Sequence, residues 1–280
     1  LVELIAPRAS IYFCIDDYGE LPGVDAEMIR PLERALLDRV DAVVATARAL
    51  VESRRPRSGI AHYLPQGVNY EHFATTRAMP PELAALPRPL VGFAGGVSEC
   101  CDFACIAAVA RAIPHGSVAL VGPVMVDLAP HALPPNVHVL GPQPYGDLPA
   151  WVQAFDVGII PYLLNDWTRA VDPLKLLEYL AAGLPVVTTP LPEVHKYARD
   201  VRIADGAGNF ADAVVAALGD ARGEGRETAR VNTWAARADR LLAIAEGVVA
   251  SRPPTRKRMG ERSAPPRVVT GGAGRSREMR

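Results

Sequence analysis

The sequence predicts an α/β protein of two Rossmann-like units with parallel sheets, an incomplete one over residues 1–74 and a whole one over residues 89–225. Three observations predict it. Short continuous apolar runs, rich in β-branched residues and bounded by turn signals, recur along the chain, as strands buried on both faces require. Helical patterns lie between them, so strands alternate with helices. Pro80, Pro81, Pro87 and Pro89 then interrupt the series, as a linker over residues 75–88 would.

In order, residues 10–15 (S-I-Y-F-C-I) form a first run that reads as a buried strand, with Asp16 and Asp17 at its carboxyl end. Ligand sites in open α/β sheets gather at such ends, although either acid can equally cap the next turn. Residues 25–39 are helical in pattern despite Pro31. A strand at 42–46, a helix at 47–53 and a short strand at 62–65 complete the first unit. The second unit opens with a strand at 90–94, followed by Gly95, Gly96 and a helix through 106–113. Strands at 118–121 and 137–140, a helix at 147–154 and a strand at 157–160 follow.

Residues 167–190 then read as loop, helix and buried strand. Asp172 stands at a helix N-cap and Pro173 at the first helical position. Gly183 and Pro185 end the helix, and the run 185–190 is a strand. Apolar residues fall on two sides of this helix (Leu174, Leu177 and Ala181; Leu176 and Leu180), which predicts that it is wedged between layers. Its charges are Lys175 and Glu178. A cation in the first turn opposes the helix dipole, and Arg169 stands just upstream. Two readings stay open: a shared anion, typically phosphate, or a surface Lys–Glu pair. Helices at 206–218 and 228–249 follow, the latter packing back as residues 226–250. Residues 251–280 read as a disordered tail.

Composition bounds the function. The 280 residues are 49% hydrophobic and 22% charged, with a net charge of −1. The tail carries nine basic residues against two acidic ones, which leaves −8 for the rest. So acidic a body is no general nucleic-acid binder. Cys14, Cys100, Cys101 and Cys105 lack zinc-ligand spacing, and no metal site is expected; reduced thiols in a cytoplasmic protein are. No apolar run reaches the ~20 residues of a membrane span. The chain begins at Leu1 within structured-looking sequence, so a fragment is expected. The Gly92-x-x-Gly95-Gly96 turn is short of a dinucleotide fingerprint. P-loop, zincin and α/β-hydrolase motifs are absent. The histidines are scattered and read as structural.

Six segments in order, P-L-x-G-F-x-G (89–95), V-A-L-V-G-P (118–123), N-V-H-V-L-G-P (136–142), Y-G-D-L-P-A-W (145–151), F-D-V-G-I-I-P-Y (155–162) and T-R-A-V-D-P-L-K-L-L-E-Y-L-A-A-G-L-P-V-V (168–187), resemble the nucleotide-sugar-binding half of GT-B glycosyltransferases. The match is to the group 1, family four kind, with a teichuronic-acid flavour. Upstream, Y-F-C-I-D-D-Y (12–18), D-A-V-V-A-T-A (41–47) and L-P-Q-G-V-N (64–69) resemble the end of the same family's acceptor domain.

The resemblance implies a retaining hexosyltransferase, in cell-surface polysaccharide or glycolipid synthesis, that moves a sugar from a UDP- or GDP-linked donor to a glycan or lipid-linked acceptor hydroxyl. It implies no cofactor and no bound metal, and a cytoplasmic enzyme in peripheral contact with the inner face of the membrane. Lys175, with Arg169 and Thr168, would hold the diphosphate and stabilise the leaving group. Glu178 would contact the donor ribose as the second acid of the family's Glu–seven residues–Glu motif. Gly95 and Gly96 would let the donor approach. The sequence departs from the pattern at Ala170, where the first Glu would fall, and at Ser98-Glu99-Cys100-Cys101, where a basic pair is common. It also has Gln66 and Asn69 where this subgroup often has Asn and Asp. The family's glycine-rich loop, and its acid or histidine near the reacting carbon, would lie upstream of Leu1. A sugar-nucleotide 2-epimerase and a non-catalytic binding remnant are the alternatives.

Overall fold

The computed structural model describes residues 7–251. The basic tail expected over residues 251–280 lies outside them from residue 252 onward. Two parallel sheets carry the fold. In the first, β1 (Ile11–Cys14), β2 (Ala42–Ala45) and β3 (Ala61–Tyr63) lie in sequence order. In the second, β4 (Leu90–Ala94), β5 (Ser117–Val121), β6 (Val137–Gly141), β7 (Val157–Ile160), β8 (Val186–Thr188) and β9 (Arg202–Ile203) are arranged as β6-β5-β4-β7-β8-β9. The chain builds outward from β4 in one direction, then returns to its other side with β7. The carboxyl ends of β4 and β7 therefore flank a topological switch point, where open α/β sheets leave a crevice.

Side-chain alternation assigns the layers. In β4, Leu90 and Ala94 join one core while Val91 and Phe93 join the other. In β7, Ile160 goes to the first, and Val157 with Ile159 to the second. The described α-helices are α1 (Ala26–Leu37), α2 (Arg48–Ser53), α3 (Tyr70–Ala74), α4 (Pro81–Ala84), α5 (Phe103–Ala112), α6 (Leu148–Gln153), α7 (Leu174–Ala182), α8 (Ala207–Ala217), α9 (Arg226–Val231) and α10 (Trp234–Ser251). Helices α5 and α8 cover one face of the large sheet. Helix α7 fills the other with α6 and α9, and every residue in it but Leu174 is buried. The wedge read from its two apolar sides is what forms.

Four expectations change. β1 is buried only in part: among the described residues it is an outer strand of its sheet, with Cys14 in the core and Phe13 exposed. The stretch 75–88 is more than a linker, because α4 sits in it and Leu83 is wholly buried in the larger core. The single helix expected over 228–249 is two, α9 and α10, broken at Asn232 and Thr233. That break serves pairing: Val68 N–H donates to Asn232 O at 3.0 Å and Trp234 N–H to Val68 O at 3.2 Å, tying the start of the last described helix to the first unit. A Cβ on Gly67 would stand 2.9 Å from backbone atoms of Thr233 and Trp234, so the contact requires glycine. Asp172 is not the cap of α7. Pro173 takes that position, with no side-chain cap.

Candidate functional site

A cavity of about 350 Å³ opens at the carboxyl ends of β4 and β7. Gly95 follows β4, Tyr162 follows β7, Lys175 and Glu178 come from α7, and Asp16 reaches in from the first sheet. Helix α7 is fixed to β4 by Tyr179, wholly buried, whose hydroxyl accepts from Ala94 N–H at 2.7 Å.

Lys175 is 9% exposed. Its Nζ donates to the Tyr162 hydroxyl and lies 4.4 Å from the Phe93 ring centroid and 4.5 Å from that of Tyr162. Two ring faces and one hydroxyl hold the ammonium group, and among the described residues no carboxylate pairs with it. The surface Lys–Glu reading fails, since both residues are buried and no ion pair joins them. Gly95 has φ +144°, and a Cβ there would lie 2.7 Å from Lys175 Nζ. Its missing side chain is the room the lysine occupies.

Glu178 is 8% exposed and accepts no hydrogen bond among the described residues. Burial pushes its carboxyl up to about 7, with nearby Lys175 opposing. Burial, and then the cysteines and Asp16 beside it, raise the Tyr162 phenol well above its ordinary value, so it stays neutral. Asp16 accepts at a single oxygen, Oδ1, from Trp167 Nε1 at 2.7 Å and from Asp17 N–H at 2.9 Å. Burial raises its carboxyl too. Asp17 turns away to pair with Arg54.

The other expected site residues divide. Thr168 lines the cavity, yet its hydroxyl is committed to Leu163 O and to Asn165 N–H at 2.9 Å. Arg169 stands outside the lining, with its side chain 57% exposed and paired with Asp166 at 3.3 Å. Gly96 does not line the cavity either; a Cβ there would meet Met125 at 3.1 Å. Ala170 is buried in the core of the first unit, the cluster that holds Cys14 and Leu50. That position serves packing between the units.

Three features escaped the sequence reading. Tyr162 is the partner of Lys175, and its place just beyond a strand's carboxyl end was the available signal. Cys100 lines the cavity, with Ser98 Oγ at 3.1 Å from its Sγ. The third is a latch between the units. Asp172 accepts from Gln66 N–H at 2.8 Å and pairs with Lys196 Nζ at 2.8 Å. Glu193 accepts from Arg48 N–H at 2.6 Å and from the Tyr63 hydroxyl at 2.5 Å. Burial works against the Glu193 charge, but those donors and Lys196 outweigh it and its carboxyl lies below the ordinary range. No local pattern announces such long-range pairs. Among the described residues, no three His, Cys, Asp or Glu side chains converge as a metal site, and no helix is long and apolar enough to cross a membrane.

Residues 88–220 match the family described as glycosyl transferases group 1. Over 180 residues the chain is 32% identical to TuaH of Bacillus subtilis (strain 168), provisionally named a teichuronic acid biosynthesis glycosyltransferase. That alignment covers 61% of this chain and 45% of TuaH, so the chain matches somewhat under half the length of that relative. Among solved structures, sucrose-phosphate synthase of Thermosynechococcus elongatus superposes with a TM-score of 0.67 at 20% identity, over 86% of this chain and 68% of that one. Anabaena Alr3699/HepE, in complex with UDP and glucose, gives 0.67 at 17% identity, over 89% and 73%. At such identities these two likenesses speak for the fold alone, which is that of GT-B proteins.

Proposed function

We propose, from the match of residues 88–220 to the glycosyl transferases group 1 family, that the protein acts in moving a hexosyl group from a nucleotide-diphosphate sugar to an acceptor hydroxyl. The observation that carries the reading is Lys175: a buried cation at the switch point, held by aromatic faces and a phenol, with no ion-pair partner among the described residues. A diphosphate is the anion such a group is built to receive. The N-terminus of α7 adds the positive end of its dipole beside Lys175.

In the reaction, the bond from the sugar's C1 to the diphosphate oxygen breaks and the bond from C1 to the acceptor oxygen forms. The acceptor proton leaves with the diphosphate. Lys175 stabilises the charge that grows on the departing oxygen. Gly95 lets backbone and phosphate come close, and Glu178 accepts hydroxyl donors of the nucleotide ribose. Thr168 shapes the wall through its backbone turn, and Arg169 takes no part. Retention at C1, a UDP or GDP donor, a glycan or lipid-linked acceptor and work at the cytoplasmic face of a membrane in polysaccharide or glycolipid synthesis belong to the same proposal. So does the absence of a cofactor or resident metal. The division into an acceptor-side unit over residues 1–74 and a donor-side unit over residues 89–225, closed by residues 226–250, does too.

Calorimetry on the full chain tests the core of it. UDP, GDP or a sugar derivative of either binds the folded protein, and Lys175→Ala weakens that binding roughly ten- to a hundredfold, the scale of a lost hydrogen bond to a charged group. A folded sample that binds none of these nucleotides removes the reading. Because Asp16 and Glu178 share the cavity, an epimerase has the two carboxyl groups it would need. Conversion of a nucleotide-sugar to its epimer without acceptor would favour that second reading.

A further inference from the structure

All four cysteines are free and buried, but what surrounds each sulfur differs. Cys14 Sγ donates to Asp16 O at 3.4 Å, Cys101 Sγ to Gly96 O at 3.8 Å and Cys105 Sγ to the Asp102 carboxylate at 3.3 Å. Each of these contacts favours the protonated thiol. Burial and Asp102 push Cys105 up to about 12, and burial raises Cys14. Cys100 has the opposite setting. It lines the cavity that Lys175 and Tyr162 also line, beside the Ser98 hydroxyl at 3.1 Å. The neighbouring Cys101 thiol, then Ser98 and the Lys175 charge, pull its thiol below the ordinary value despite burial. The cavity itself calls for an occupant, because Glu178 faces it nine-tenths buried and without a hydrogen-bond partner among the described residues.

We propose that Cys100 is a modification site, a cavity-wall nucleophile that takes small soft electrophiles ahead of the other three cysteines. With an alkylating agent such as iodoacetamide, the proton of the thiol passes to solvent and the thiolate sulfur attacks the methylene carbon. The sulfur–carbon bond forms as the carbon–iodine bond breaks, and iodide leaves. The added group then fills space beside Lys175. On the nucleotide reading given above, on which this one consequence rests, modification and nucleotide exclude each other.

The test is limiting iodoacetamide on the native full chain at neutral pH, followed by digestion and mass spectrometry of the cysteine peptides. Cys100 takes the label at least about tenfold faster than Cys14, Cys101 or Cys105, as a thiolate does beside thiols. In Lys175→Met, loss of the cation slows labelling of Cys100 at neutral pH and moves the midpoint of its pH profile upward. Saturating UDP slows labelling in the unsubstituted chain. Equal labelling of all four cysteines, or labelling of Cys100 only after denaturation, overturns the proposal. Fast labelling of Cys100 that UDP leaves unchanged keeps the modification site and removes the nucleotide from this cavity.

Discussion

Glu178 and Lys175 lie one turn apart on α7 and are both buried, yet neither neutralises the other through an ion pair. The carboxyl meets the cost of burial by holding its proton, with a pKa near 7 in place of 4.5. The sign follows. A carboxyl raised in the folded state binds its proton more tightly than in the unfolded chain. The stability it contributes is full below about 4.5 and is lost as pH rises through about 7. Glu178→Gln, which cannot ionise, therefore flattens the fall in melting temperature through that window. Thermal melts of the two proteins from pH 5 to pH 8 (roughly the interval spanned) measure the difference. Nucleotide binding reads the same group in the other direction. Ribose hydroxyls donate to the ionised form, so on the proposed function binding releases a proton near pH 7. Calorimetry in buffers of different ionisation heats detects it.

At the scale of elements, α7 depends on one buried phenol. Tyr179 bridges to the end of β4 through Ala94 N–H, so that Lys175, one turn earlier, reaches over Gly95 to the Phe93 ring. Tyr179→Phe leaves that buried amide without its acceptor. The expected cost is about 1–3 kcal/mol of folding stability in denaturant titrations, with weaker nucleotide binding as the helix shifts on the strand. The pattern of 167–190 made helix and strand legible, because apolar spacing, Pro173 and the left-handed Gly183 act within a few residues. Local rules also suggested Asp172 as a cap, and there they failed. Its carboxylate finds a stronger set of donors in Gln66, 106 residues away, and in Lys196.

At the scale of the whole molecule, the two sheets meet through Asp172, Lys196, Glu193 and Tyr63, with the Asp16–Trp167 bond beside them. The Asp172 side chain is only 3% exposed, while Lys196 remains 25% exposed. Removing the cation strands a buried carboxylate, which burial already pushes toward the neutral form. Lys196→Met is expected to lose about 2–3 kcal/mol, somewhat less than for a pair shut off from water on both sides. Adding Asp172→Asn recovers part of it, and a double-mutant cycle in denaturant measures the coupling. A cycle with no coupling means the latch does not hold the units together.

What the sequence determined by itself is the α/β class, nearly every strand and long helix, and the order of motifs that carries the resemblance to glycosyl transferases group 1. These depend on periodicity, turn residues and breakers acting over a few positions, and on segments whose order is kept. Tertiary structure alone decided the fate of each charge. Lys175 and Arg169 stand six residues apart and read alike as anion ligands, yet one is sealed between aromatic rings and the other lies exposed beside Asp166. Ala170 departs from the pattern of the family that the sequence resembles, and its burial in the first unit's core could be known only once the first sheet was in place. Burial, partners and pKa are set by groups brought in from a hundred residues away, such as Arg48 reaching Glu193 across 145. No local pattern encodes that proximity; the packing of the two sheets creates it.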